Sequence, residues 1–242
     1  MFSKKLLFLV AGLILVVTTV LSASGNTRNN EDQRKRQVIE PLNLAILIQD
    51  DLVSQVGTEL GVTGDFIRSL PPGSQVMVGY ITAGSLQVRQ PFTGDLEMAA
   101  KSLRIPAANI NSAPFNPYVE LLEALKKFES KSNNKNAILL VSDGLDVSRG
   151  FDSSAAGHSV DLERAINEAN KRDVAVYSFY APSVGLTSRN SLAASYGQSS
   201  LKRLGDETGG RAFFQGLNGF VTFDSYFTRL RETFNEQYAL VR

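Results

Sequence analysis

From residue 42 onward the apolar positions of the chain alternate between two periods. Residues 44–48 form an unbroken apolar run of buried-strand length, after which Leu52, Val53, Val56, Leu60 and Ile67 recur at the spacing of one helix face. Pro71, Pro72 and Gly73 stop that helix. Residues 76–81 and 86–92 follow as two β runs parted only by a turn around Ala83 and Gly84, a gap that requires an antiparallel hairpin. Residues 96–103 have the pattern of a short helix. Beyond an exposed loop carrying Pro106, Pro114 and Pro117, helical spacing resumes at Tyr118, Leu121, Leu122, Leu125 and Phe128.

The second half repeats the alternation. Residues 137–141 make a strand broken at Ser142, Asp143 and Gly144, and Leu162, Ala165, Ile166 and Ala169 mark the next helix. Residues 174–180 form another strand. A long polar loop over 182–200 leads to a helix at 201–208, closed by Gly209 and Gly210. A β run starts at Ala212, and Phe223, Phe227, Leu230 and Phe234 share the face of a last helix. Residues 238–241 then add a terminal strand or pack on the sheet. Strands alternating with helices predict an α/β class: a doubly wound, mostly parallel central sheet with one antiparallel edge strand and helices on both faces.

Ahead of this domain, Lys4 and Lys5 precede an apolar run over residues 6–21 that exits through Ser22, Ala23, Ser24 and Gly25. A positive start, an apolar stretch without a polar face and a small-residue exit describe a signal peptide or N-terminal membrane anchor over residues 1–25. Residues 26–41 are polar and aperiodic, the composition of a tether, and residues 42–242 form the folded domain. The expected location is extracytoplasmic, with the domain either membrane-anchored by the N-terminal helix or secreted or periplasmic after cleavage. Lys4 and Lys5 favour a cytoplasmic N-terminus for an anchor, and Arg28, Arg34, Lys35 and Arg36 weaken that bias.

Composition narrows the chemistry. With 25 basic against 24 acidic side chains, the chain has no electrostatic footprint for nucleic acid. It has no cysteine, so disulfides, thiolate metal sites and a thiol nucleophile are excluded. His158 is the single histidine, and no histidine-based catalytic triad can be assembled around it. Asp146 and Asp152 lack the oxygen spacing of an EF-hand loop and suit solvated loop positions.

Two segments carry a family resemblance: Leu44-Ala45-Ile46-Leu47-Ile48-Gln49-Asp50-Asp51 and Ile138-Leu139-Leu140-Val141-Ser142-Asp143-Gly144. Together with the element order, they are similar to the first and fourth strands, with their loops, of the von Willebrand factor A domain. Leu70-Pro71-Pro72-Gly73 and the stretch from Leu204 to Phe214 resemble more narrowly bacterial secreted proteins with a degenerate domain of this type. The resemblance implies a metal-ion-dependent adhesion site at the carboxyl ends of the strands, built from Asp-x-Ser-x-Ser, a Thr and an Asp on three loops, whose hard oxygens suit Mg²⁺. Here that pattern is altered. A motif starting at Gln49 reads Gln49, Asp51 and Val53; one starting at Asp50 reads Asp50, Leu52 and Ser54. The second loop offers Ser112 and Asn116 in place of the Thr, while Asp143 stands at the third-loop position.

The expectation is a degenerate site with no resident cofactor and at most weak Mg²⁺ or Ca²⁺ binding by Asp50, Asp51 and Asp143. Gln49, Asp50, Asp51, Ser54, Asn116 and Asp143 are the candidates for partner-binding or vestigial metal-site loops. Asp50 or Asp51 also suits the N-cap of the first helix. Phe115, Pro117, Tyr118 and Tyr196 are candidates for a recognition rim, since loops at the carboxyl edge carry function. The function expected is a non-catalytic extracytoplasmic protein-interaction module whose partner is another protein, not nucleic acid, with membrane contact only through an uncleaved N-terminal segment. Two alternatives stand beside it. One is a receiver-like, Mg²⁺-dependent phosphoacceptor using Asp50, Asp51 and Asp143, opposed by the hairpin, by Ala181-Pro182 where a Lys would follow the strand, and by the export signal. The other is an exported small-molecule or polysaccharide-binding domain.

Overall fold

The computed structural model describes residues 41–129, 134–151, 159–216 and 221–239, with side chains through 234. Six strands, β1 (Leu42–Gln49), β2 (Gln75–Thr82), β3 (Ser85–Thr93), β4 (Lys135–Ser142), β5 (Val174–Tyr180) and β6 (Ala212–Phe213), pair in the order β3-β2-β1-β4-β5-β6. All neighbours run parallel except β2 and β3, the predicted hairpin. Successive strands grow outward from β1 in both directions, so the loops leaving β1 and β4 diverge and open a crevice at their carboxyl ends.

Among the described residues seven α-helices accompany them: α1 (Gln55–Thr58), α2 (Leu60–Arg68), α3 (Leu96–Lys101), α4 (Pro117–Leu125), α5 (Val160–Lys171), α6 (Ser191–Glu207) and, after the last strand, α7 (Asp224–Ala239). Every residue of β1 is buried because helices cover both faces, which is why its sequence is apolar without alternation. Ala45 and Leu47 join Ile138 and Leu140 beneath α4, α5 and α6, in a core with Leu121, Leu162 and Leu201. The opposite face holds an aromatic cluster. Phe179 of β5 contacts Phe213, Phe223, Tyr226 and Phe227 at ring-centroid distances of 4.9–5.5 Å, and Phe66 of α2 stacks on Phe227 at 4.4 Å. These edge and offset contacts add to the area that the rings bury.

Three expectations are corrected. The first helix is not continuous from Leu52: Leu52 bridges to Ser183, and the helical run is split into α1 and α2. The loop expected over 182–200 ends at Asn190, whose side chain caps α6 by accepting the N–H groups of Leu192 and Ala193. The start of α6 escapes the hydrophobic pattern because its buried positions are Ala193, Ala194 and Gly197. A Cβ on Gly197 would stand 1.9 Å from the Asp143 carbonyl oxygen, so the close approach of α6 to the β4 loop demands a residue without one. Finally, residues 238 and 239 belong to α7, not to a terminal strand, and residues 240–242 lie outside the described set.

The chain divides into two units, Met1–Ile39 with Asn235–Arg242, and Glu40–Phe234; the sheet and its core belong to the second. Among the described residues no helix is long and apolar enough to cross a membrane. The apolar run at 6–21, residues 26–40 of the tether and His158 lie outside the described residues.

Candidate functional site

Cross-strand register builds the site. Ile48 of β1 pairs with Val141 of β4, so one step further Gln49 lies beside Ser142, on the face shared with Ala45 and Leu47. Ser142 Oγ donates to Gln49 Oε1 at 2.6 Å, and the backbone N–H of Asp143 approaches the same oxygen at 3.3 Å. A backbone N–H can only donate, so the amide is fixed with its NH₂ on the other side. That NH₂ gives one hydrogen bond to Asp51 Oδ1 at 2.8 Å and one to Asp143 Oδ1 at 3.1 Å. Two carboxylates are thus joined through a neutral amide.

Asp143 is saturated from several directions. Its Oδ1 also accepts from the Leu145 N–H at 3.2 Å, and its Oδ2 from Thr187 Oγ1 at 3.1 Å. Thr187 is held in turn by the Ser183 N–H at 2.8 Å. The loop after β5 reaches this position through a short antiparallel ladder. Val53 N–H donates to Pro182 at 3.0 Å, Val184 N–H donates to Asp51 at 2.9 Å, and Leu52 bridges to Ser183 between them. Since β4 lies between β1 and β5 in the sheet, this ladder arches over the end of β4.

Asp51 and Asp143 are only 2% and 4% exposed. Burial pushes the Asp51 carboxyl up to about 7, helped by the Asp143 charge and opposed by the Gln49 hydrogen bond. Burial also raises Asp143, against the hydrogen bonds from Leu145, Ser183, Gln49 and Thr187. The phenols of Tyr118 and Tyr180 are pushed up by burial too, with the Asp143 charge adding to it. Among the described residues the Tyr180 hydroxyl makes no hydrogen bond.

Above the carboxylates lies a cavity of about 540 Å³, with Gln49, Asp51, Asp143 and Ser183 on its polar side and Pro114, Phe115, Leu145, Val147, Phe151 and Leu186 among its apolar walls. Its rim carries Phe115 at 70% and Ile110 at 64% exposure, unusually high for large apolar side chains. An adjoining cavity of about 610 Å³ shares Ile110, Gly185 and Leu186 and reaches Arg189. A larger cavity of about 760 Å³ lies away from these groups, at the other end of the strands beside Met77, Phe92 and Phe128.

The other candidates separate from this cluster. Asp50 turns away to Arg104, whose guanidinium binds both its oxygens at 2.6 and 3.0 Å while lying 3.9 Å over the Tyr80 ring. Neither Asp50 nor Asp51 caps a helix: α1 starts four residues beyond Asp51, with Ser54 as an N-cap that makes no side-chain bond. Ser54 is exposed and does not line the cavity. Asn116 caps α4, accepting the Tyr118 N–H at 3.0 Å and donating to Asp161 at 2.9 Å, while Ser112 bonds Asn109. Of the expected rim, Phe115 is exposed. Pro117 and Tyr118 are buried, the Tyr118 hydroxyl donating to the Gly144 carbonyl at 2.7 Å, and Tyr196 packs on Phe151. Asp146 is engaged by Ser148 and Ser159, and Asp152 lies outside the described residues. Ser142, Ser183 and Thr187 were not among the candidates. The partner strand's register carries a signal for Ser142, whereas Ser183 and Thr187 depend on the pairing of two irregular loops.

Sheet order, the antiparallel edge and a crevice floored by residues after β1 and β4 define an α/β domain with the von Willebrand factor A-like fold. The chain resembles an aerotolerance-related membrane protein from Bacteroides fragilis (TM-score 0.55, 13% identity, 81% of this chain and 99% of the other). It also resembles BatB from Bacteroides thetaiotaomicron (0.54, 12%, 81% and 99%) and the SpRpn10 VWA domain (0.50, 13%, 78% and 94%). No family profile and no curated protein matches the sequence.

The fold implies a hard cation at this edge, and the donors present fit one poorly. The Gln49 NH₂, a donor, points at the two carboxylates that would have to face the ion. Asp50 is committed to Arg104 and Asn116 to α4. Among the described residues no group of three His, Cys, Asp or Glu side chains converges to hold a metal.

Proposed function

We propose that this chain is a non-catalytic, extracytoplasmic protein-interaction module that engages another protein at the carboxyl edge of its sheet without a bridging metal. The observation that carries the reading is the cavity over Asp51 and Asp143, which combines a buried polar floor with an exposed apolar rim at Phe115 and Ile110. Contiguous exposed apolar groups around a polar center are the anatomy of an interaction surface. The Gln49 amide supports metal independence, because it supplies between the carboxylates the positive hydrogens that a cation would otherwise provide. The signal-like segment over residues 1–25 supports the extracytoplasmic location.

The phosphoacceptor alternative is less well supported, since Asp143 is buried under four hydrogen-bond donors and so is poorly placed to attack a phosphoryl group. The test is photocrosslinking of the full chain in its native cells, with a benzophenone side chain at Phe115 or at Lys171, which lies at the far end of α5. A discrete adduct to another protein from position 115, absent from position 171, is expected. Equal labelling from both positions, or none from 115, would overturn the reading.

A further inference from the structure

We propose that the cavity over Asp51 and Asp143 receives a cationic side chain, a lysine or arginine, carried on an apolar segment of the partner protein. This rests on the interaction reading above and specifies its chemistry. The walls are apolar, so the polar floor has to select what enters. That floor presents two carboxylates and an amide whose hydrogens are already spent on one oxygen of each. Asp143 Oδ2 is taken by Thr187, whereas Gln49 engages Asp51 through Oδ1.

Among the described residues neither Asp51 nor Asp143 has an ion-pair partner, and the nearby Arg104 is committed to Asp50. Arg189 lines the adjoining cavity, not this one. A buried carboxylate without a counter-charge is unfavorable, and an arriving ammonium or guanidinium supplies what is missing beside carboxyls that are only 2% and 4% exposed. A partner carboxylate would meet like charge. The volume of about 540 Å³ exceeds what one lysine stem fills, leaving Phe115, Val147 and Leu186 to hold its apolar neighbours. The continuation past Ile110 into the second cavity suits an extended segment over a single isolated side chain.

The probe is a fluorescein-labelled heptapeptide, Gly-Ser-Leu-Lys-Leu-Ser-Gly, with analogues carrying norleucine or glutamate at the central position. Fluorescence anisotropy is read with the full chain in nonionic detergent containing EDTA. The lysine peptide is expected to bind at least about tenfold tighter than the norleucine peptide, with the glutamate peptide weakest. Asp51→Asn should abolish the lysine preference over norleucine, its fold verified by circular dichroism. Phe115→Ser, at an exposed position, should weaken the lysine and norleucine peptides alike. Equal affinity for lysine and norleucine, or a preference that survives Asp51→Asn, would overturn the cationic assignment while leaving a Phe115 crosslink standing. Absence of binding by every peptide, or binding of the glutamate peptide only when Mg²⁺ replaces EDTA, would overturn it as well.

Discussion

Gln49 and Asp143 are locked by a contact that sets the polarity of the whole site: the Asp143 backbone N–H faces Gln49 Oε1 at 3.3 Å, turning the amide hydrogens toward Asp51 and Asp143. Replacing Gln49 by Asp removes those hydrogens and places a third carboxylate against two buried ones. In EDTA near pH 7.5 the variant should lose about 1–3 kcal/mol, a fall of several degrees in melting temperature. Millimolar Mg²⁺ should restore the variant and leave the wild type unmoved. Thermal melts of both proteins with and without Mg²⁺ check this, and an equal Mg²⁺ response in the two would contradict it.

The raised carboxyls give stability a defined pH slope. The Asp51 carboxyl is pushed up to about 7 from an ordinary value of 3.8, so the folded protein favours its protonated form. The contribution is complete below about pH 4 and is lost as pH rises through about 7, at no more than about 1.4 kcal/mol per pH unit for one proton. Asp143 and the buried Glu120 act in the same direction, while Glu97 and Glu168, held below their usual range by Arg68 and Arg172, act in the opposite one. The difference between wild type and Asp51→Asn isolates the Asp51 share. Urea midpoints between pH 5 and pH 7.5 should fall more steeply for the wild type than for the variant.

The contact of α6 with the β4 loop tolerates no side chain. Gly197→Ala would force a Cβ to within 1.9 Å of a backbone oxygen and should cost roughly 3 kcal/mol. Gly61→Ala in α2, where a Cβ meets nothing within 4 Å, should be stabilising by about 0.5–1 kcal/mol. Chemical denaturation of the two variants provides the comparison.

Asp50 and Asp51 are adjacent in sequence and differ in role. Arg104→Met would leave the buried Asp50 carboxylate without its guanidinium and should destabilise by about 1–3 kcal/mol. Because the pair lies outside the cavity, binding of the lysine peptide should change less than twofold. A tenfold loss of that binding would place Arg104 in the recognition surface.

The strands, the hairpin and the two covered faces were legible in the sequence because they rest on long apolar runs such as residues 44–48 and 76–81. Gln49, Asp51 and Asp143 were legible because they end or closely follow buried strands. Asp50 was not distinguishable from Asp51, since its role depends on an arginine 54 residues away. Asn116 read as a loop ligand because a helix cap and a metal ligand share the same oxygen chemistry. The start of α6 was hidden by small residues chosen for close approach, and Thr187 by the pairing of two loops with no periodicity of their own.

The arch from Asp51 and Val53 to Pro182 and Val184 has a consequence for dynamics. It ties together two loops that would otherwise fluctuate independently, so the floor beneath them is set before any partner arrives. Association with the proposed partner would then freeze little of the protein's own motion, and the entropic penalty would fall mainly on the incoming segment. Slow amide exchange at Val53 and Val184 in the unbound protein would be its signature.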